Sequence, residues 1–210
     1  MHSYTPISID DRCGECELMI KIYRKDVHPV FKNGGRLTQH LEAMKEGEKI
    51  KVDKAGYGKI EYIGEGKIQY LEVQGTYKKL GFIAAGTGLT PCFQIVKACA
   101  YEKKHGKYDM EISFLSVNRY EDDVLLRKEL EEYAKAGVIN NLFITATQPK
   151  DPEAWGGLKG RPTIETLKET MPPPNGDTVI IFCGPPKFKK DMGKFLTALG
   201  HEKNKGYFEL

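Results

Sequence analysis

The sequence predicts two lobes, an antiparallel β-barrel followed by an α/β domain on a doubly wound parallel sheet. Three observations carry that prediction. Up to about Val73 the chain runs in short, alternating strand-like segments broken by glycine-bearing turns. From Leu80 short apolar runs alternate with longer stretches of helical spacing, the pattern of strand-helix-strand units. The 210 residues, 40% apolar and 29% charged, have the composition of an ordinary globule long enough for one large domain or two small ones.

In the first lobe, residues 1–75, strands are expected at Glu17–Tyr23, Glu48–Asp53, Lys59–Ile63 and Lys67–Val73. Turns fall at Ala55-Gly56-Tyr57-Gly58 and Gly64-Glu65-Gly66, and one short helix, Leu37–Met44, follows Gly34-Gly35. The boundary lies at Gln74–Lys79. In the second lobe, residues 80–210, strands at Leu80–Ala84, Met110–Val117, Leu142–Thr147 and Thr178–Phe182 alternate with helices at Pro91–Lys104, Asp122–Lys135 and Thr163–Thr170. A last helix, Phe188–Leu199, puts Phe188, Met192, Phe195 and Leu199 on one face, which reads as core. The charged run Arg127–Glu132 is a wet helix face with Val124, Leu125 and Leu130 turned inward, and Gly137 is a natural stop.

Charge and composition exclude several functions. A net charge of +3 with scattered lysines is no nucleic-acid footprint. The late lysines, among them Lys187, Lys189, Lys190 and Lys194, read as a solvated helix face. No stretch approaches the roughly 18 apolar residues of a membrane span, and no signal peptide opens the chain, so a soluble cytoplasmic protein is expected. Five cysteines fit reduced thiols better than a disulfide scaffold. Cys13-Gly14-Glu15-Cys16 has metal or redox spacing but no second ligand pair, and reads as a loop with two thiols. The histidines have no order that pairs with a nucleophilic cysteine, and no metal motif is present.

What chemistry remains sits at strand ends. Ala85-Gly86-Thr87-Gly88-Leu89-Thr90 joins a strand to a helix, where glycines let backbone N–H groups approach an anion and the helix start adds unpaired donors. Taken alone, that stretch is equally compatible with a plain tight turn, because Pro91 stands where a dinucleotide fingerprint has its third glycine. Phe182-Cys183-Gly184-Pro185-Pro186 follows the final strand and lies on the same sheet edge, with a thiol held by a glycine and a double proline. Gly34-Gly35 opens another helix in the first lobe. Two anion turns on two lobes point to two nucleotides brought together.

These residues resemble the NADH-cytochrome b5 reductases, a family related to the reductase lobes of nitrate reductase and flavohaemoglobin. The match runs through Ser3-Tyr4-Thr5-Pro6, Gly34-Gly35-Arg36-Leu37-Thr38, Ala85-Gly86-Thr87-Gly88-Leu89-Thr90-Pro91 and Cys183-Gly184-Pro185-Pro186, in family order. His28-Pro29, Leu125-Leu126-Arg127, Pro152-Glu153-Ala154-Trp155 and Met171-Pro172-Pro173-Pro174 tighten it toward the b5 reductases. The resemblance implies an FAD-binding barrel and a nicotinamide-nucleotide domain, with hydride passing from NADH to FAD and electrons then reaching a haem protein such as cytochrome b5. It places Tyr4, Thr5 and Pro6 at the flavin, and Met19, Lys21 and Tyr23 where a strand meets flavin or nicotinamide nucleotide. Gly34, Gly35, Arg36, Leu37 and Thr38 would cradle the FAD pyrophosphate. Gly86, Thr87, Gly88 and Thr90 would hold NADH, and Cys183, Gly184, Pro185 and Pro186 would set the nicotinamide in place. Thr5, Lys21 and Cys183 fall at the centre of the reaction.

Three departures from the family pattern stand out. His2 occupies the place of an arginine that pairs an FAD phosphate, and a histidine lacks the bidentate fork. Relatives carry several barrel strands before Ser3-Tyr4-Thr5-Pro6, so the barrel is expected to be N-terminally truncated, with an unpaired edge. A flavin-free nicotinamide-nucleotide remnant without reductase activity is the alternative that this departure raises. Pro149 stands where the b5 reductases have an acid for the adenosine ribose, which leaves NADPH admissible beside NADH.

Overall fold

The computed structural model describes residues 2–9, 14–27, 32–53 and 58–210. Cys13, His28-Pro29 and the Ala55-Gly56-Tyr57 turn lie outside them. Helix α1 (Arg36–Ala43) starts after Gly34-Gly35, with the Gln39 N–H donating to Gly35 O at 2.9 Å. Strands β1 (Ile60–Gly64), β2 (Lys67–Tyr70) and β3 (Val73–Thr76) form an antiparallel meander. The strand expected over Lys67–Val73 is thus two. Leu71 adopts φ 51°, the chain reverses, and Tyr70 pairs with Val73.

Strands expected at Glu17–Tyr23 and Glu48–Asp53 do not form. Alternation alone makes no strand, because the extended chain needs a neighbour to take its N–H and C=O groups. The first segment has isolated backbone bonds instead of a ladder, from Ile7 N–H to Glu17 O at 2.8 Å and from Gly35 N–H to Tyr23 O at 2.7 Å. The barrel is accordingly not closed, and the antiparallel part of the described residues is β1–β3.

Beyond β3 come β4 (Lys79–Ala85), α2 (Leu89–Lys104), β5 (Glu111–Asn118), α3 (Arg127–Lys135), β6 (Asn141–Ala146), β7 (Leu158–Lys159), α4 (Ile164–Thr170), β8 (Thr178–Cys183), α5 (Pro186–Ala198) and β9 (Tyr207–Glu209). The strands form one parallel sheet in the order β7-β6-β5-β4-β8-β9. The doubly wound expectation holds. Past their first residues, Lys79 and Thr178, central β4 and β8 carry no charged or hydroxyl side chain, because both their faces are covered. Leu80, Phe82 and Ala84 join one core with α2, while Ile83 joins the other with Leu167, Met192 and Leu196.

The helix expected over Asp122–Lys135 begins only at Arg127. Residues Glu121–Asp123 make a separate 3-10 turn, and Leu126 at φ 49° breaks the run. The edge strands β7 and β9 have no counterpart among the expected elements, being too short to show a pattern. Gly137 ends α3 at φ 68°, its carbonyl accepting from Lys103 Nζ at 2.8 Å.

The β1–β3 meander rests on the α/β lobe. Tyr70 stacks on Phe208 with ring centroids 4.5 Å apart, and its hydroxyl donates to Glu209 O at 2.8 Å. At the other end, buried Glu102 of α2 accepts from the Tyr62 hydroxyl at 2.5 Å and from the Glu65 N–H at 2.8 Å. Both carboxylate oxygens are therefore satisfied, as a buried charge requires. Burial and the Cys99 and Glu102 neighbours push the Tyr62 phenol far above its usual range.

Candidate functional site

Sheet order fixes where a ligand can sit. The chain moves outward from β4 through β5, β6 and β7, then returns to place β8 on the other side of β4, so the order reverses between β4 and β8. A doubly wound sheet binds ligands outside the carboxyl ends of its strands at such a switch point. Here those ends carry Gly86-Thr87-Gly88 after β4 and Cys183-Gly184-Pro185 after β8, with Ala84 and Cys183 side by side in the ladder.

The two loops touch through backbone. A Cβ added to Gly88 would lie 2.5 Å from the carbonyl carbon and oxygen of Cys183 and 2.8 Å from Gly184 N, so only glycine permits this approach. Gly86 serves differently. It takes φ 54°, and a Cβ there would meet no atom within 4 Å, because its backbone borders open space. Instead of a loop through Thr90, residues Gly86–Gly88 form one 3-10 turn and α2 starts at Leu89, with the Thr90 hydroxyl donating to Thr87 O at 3.3 Å.

That open space is a cleft of about 2730 Å³, which the strand ends share with the N-terminal segments. Its size exceeds the roughly 300–1,000 Å³ of a pocket for one small ligand. Tyr4, Thr5 and Pro6 reach the cleft because their segment is fastened to α2, Gln94 Nε2 donating to Ser8 O at 3.0 Å and Lys97 pairing Glu17 at 3.3 Å. Met19, Lys21 and Tyr23 also line it, with the Lys21 ammonium 6.0 Å from the Tyr23 ring centroid.

Arg36, Leu37 and Thr38 open onto the same space. Among the described residues their N–H groups meet no acceptor, the first turn of α1 holds no acid, and its N-cap residue, Gly35, supplies no side chain. Three donors without an acceptor among the described residues, and a guanidinium, at a helix start suit a pyrophosphate. Gly34 and Gly35 stand behind, off the cleft wall. A Cβ on Gly34 would come within 2.5 Å of Tyr23 O, and Thr38 Oγ1 both accepts from the Tyr23 N–H and donates to Gly35 O. These glycines let the turn seat on Tyr23. Pro186, also off the wall, is the first residue of α5.

Cys183 is half-buried in the wall, and burial pushes its thiol up, against the pull of Lys189, the Gly184 N–H and Lys59. The group is a neutral thiol at neutral pH, unsuited to nucleophilic attack. Its neighbour Cys92 is fully buried and raised further.

The wall also holds residues that no sequence motif marks, among them Asn118 and Arg119 at the end of β5, Lys59 and Tyr62 at β1, and Leu210. The strand-end rule that selected Gly86 and Cys183 also covers Asn118 and Arg119. Nothing in the sequence brings Leu210 there; the Leu210 N–H donates to Phe182 O at 3.0 Å and Lys189 Nζ donates to Leu210 O at 2.9 Å.

Comparison with known proteins gives this geometry its family. Residues 1–62 match the model of an oxidoreductase FAD-binding domain and residues 82–194 that of an oxidoreductase NAD-binding domain. NADH-cytochrome b5 reductase 2 of Homo sapiens is 39% identical over 193 residues, covering 89% of this chain and 68% of that protein. The Rattus norvegicus protein of the same name is 37% identical over 211 residues, covering 97% and 75%. The crystal structure of the cytochrome b5 reductase domain of Ulva prolifera nitrate reductase is 31% identical, with a TM-score of 0.90 over 99% of this chain and 76% of that one. Identity at this level over more than two thirds of each of these relatives makes this chain a member of the NADH-cytochrome b5 reductase family.

Proposed function

We propose that this chain binds FAD and NADH in the one cleft and passes reducing equivalents from NADH through FAD to a haem protein such as cytochrome b5. The observation that carries the reading is the meeting of the β4 and β8 loops opposite the Tyr4-Thr5 segment and the open start of α1. FAD, when bound, supplies the conversion of a two-electron hydride donor into single electrons, and the protein's part is orientation and electrostatics.

The chain's own residues divide that part. Arg36, Leu37 and Thr38 hold the FAD pyrophosphate on their N–H groups, and Arg36 adds a charge-assisted contact. Tyr4 offers a ring face, and Thr5 and Lys21 offer a hydroxyl and an ammonium, along the edge toward the strand ends. Gly86, Thr87 and Gly88 give the nicotinamide nucleotide a close backbone approach, while Cys183, Gly184 and Pro185 fix the depth of its ring. The neutral Cys183 thiol positions without reacting. Free thiols at Cys16, Cys92, Cys99 and Cys183 fit a reducing compartment, and a cytoplasmic setting belongs to this reading. Among the described residues no helix is long and apolar enough to cross a membrane.

The test is reconstitution. Purified protein given FAD should retain flavin absorbance through gel filtration and reduce ferricyanide and cytochrome b5 with NADH. Protein that retains no flavin and reduces no ferricyanide would sink the reading. A second reading, nucleotide binding without electron transfer, draws on the absence of any strand among the described residues 2–53. Calorimetric binding of NADH by protein that retains no flavin would favour it.

A further inference from the structure

Helix α2 carries both halves of the cleft on one side. Gln94, Ala98 and Glu102 line the cleft at the four-residue spacing of a single helix face. The nucleotide turn Gly86–Gly88 stands at the start of the helix. Midway along, Gln94 Nε2 and Lys97 hold the Tyr4-Thr5 segment through Ser8 O and Glu17. Near the far end, about 21 Å of helix beyond Gly88, Glu102 takes hold of β1. Strand β1 lies beside the helix, bridging its two ends: Lys59, just before the strand, acts on the Cys183 thiol, and Glu65, just after it, donates its N–H to Glu102 Oε1 at 2.8 Å.

Glu102 is buried, and among the described residues no cation pairs it: Lys103 goes to Asp109 at 2.9 Å and Lys107 sits over the Tyr101 ring. Its partners are directional hydrogen bonds. Oε2 accepts from the Tyr62 hydroxyl at 2.5 Å, and that hydroxyl accepts in turn from the Gly66 N–H at 3.2 Å. A Cβ on Gly64 would lie 2.9 Å from Oε1, so glycine lets the turn after β1 close on the carboxylate. Apolar contact between β1 and α2 is non-directional and lets the strand slide along the helix, whereas two bonds to one carboxylate fix where it stops. An apolar pair of the same shape would hold the two elements together about as strongly. It would not set their register.

We propose that Glu102, acting through Tyr62 and the Glu65 N–H, is a positioning residue that sets the register of β1 along α2 and with it the spacing of the two cofactors. This rests on reading the cleft as a site for FAD and NADH, and names what fixes their separation. Lys59 and Tyr62 stand on the cleft wall, so a slide of β1 moves that wall relative to Gly86–Gly88 and Cys183. The Tyr70 stack on Phe208 keeps the meander attached meanwhile. Transfer between two held reactants is steep in distance, a misplacement of about 1 Å costing about a hundredfold. Each nucleotide keeps its own contacts, so the signature is a slower transfer at unchanged NADH affinity.

Two variants of the full chain separate register from strength. Tyr62→Phe/Glu102→Met removes the directional contacts and keeps the packing. Glu102→Gln keeps them, its amide oxygen accepting from the Glu65 N–H and its amide nitrogen donating to the Tyr62 hydroxyl oxygen. Without FAD, NMR hydrogen exchange at Glu65 and Gly66 should quicken at least about tenfold in the double variant and stay parental in Glu102→Gln, while the urea midpoint does not fall. With FAD, stopped-flow flavin reduction at saturating NADH should slow at least about tenfold in the double variant, its calorimetric NADH affinity staying within about threefold of the parent. Glu102→Gln should restore the rate. If the double variant does not unfold cooperatively, Tyr62→Phe alone should slow reduction at least about threefold. Parental exchange or parental flavin reduction in the variants that lose the contacts, or an equal slowing in Glu102→Gln, overturns the positioning role and leaves the two-cofactor reading standing. A parent whose flavin NADH does not reduce overturns that reading, and the proposal with it.

Discussion

Gly88→Ala tests the contact on which the site depends. The added methyl would start 2.5 Å from the Cys183 carbonyl and 2.8 Å from Gly184 N, all of them backbone atoms that cannot swing aside. An ordinary carbon contact is about 3.5–4.0 Å, so the β4 and β8 loops must part by about 1 Å. Overpacking of this kind costs about 1–3 kcal/mol. In a domain of this size each kcal/mol lowers Tm by about 2–4 °C, giving an expected fall of about 2–12 °C. Because the parted loops also uncover the half-buried thiol beside them, Cys183 alkylation should speed up. Gly86→Ala is the matched control. Its methyl meets nothing, and its cost is the left-handed strain of φ 54°, about 1–2 kcal/mol, with Cys183 no more accessible than before. Thermal unfolding and mass-spectrometric alkylation of both variants decide the matter. If Gly88→Ala unfolds within about 1 °C of the parent and leaves Cys183 alkylation unchanged, the two loops do not touch as described and the switch-point geometry is wrong.

Three further expectations follow from the same coordinates. Phe208→Ala removes the ring that stacks on Tyr70 at 4.5 Å and meets Tyr77 edge-on at 6.1 Å, and should cost about 3–5 kcal/mol in urea unfolding; a loss below about 1 kcal/mol would show that the meander is not anchored there. Stability should fall as pH rises above 9, because Cys99 is pushed by burial from 9.0 up to about 12 and the Tyr62 phenol is raised as well. The unfolded chain releases these protons first, so the native advantage is whole below pH 9 and is lost on the way to pH 12. Urea midpoints at several alkaline pH values check this, and Cys99→Ala should make the slope shallower. Cys183→Ser, finally, should slow hydride transfer in stopped-flow more than it weakens NADH binding; equal losses, or none, would remove the positioning role.

How legible each part was in the sequence depended on whether its cause was local. Leu80–Ala84 and Thr178–Phe182 read as buried strands because both faces of a central parallel strand are covered, leaving one apolar signature whatever the partners. Glu17–Tyr23, rich in apolar residues, reads as a strand as plainly and forms none, because a ladder needs a neighbour that local composition does not specify. Leu71 and Leu126 broke expected elements through φ near 50°, a conformation that leucine rarely adopts and that nothing in their residue type announces. The boundaries failed where long-range geometry decided them.

The site divides the same way. Gly86 and Gly88 are two residues apart and identical in sequence, yet one keeps a left-handed backbone beside open space and the other admits the backbone of a strand end far along the chain. A motif signals that glycine is needed; only the approach of Cys183 says why.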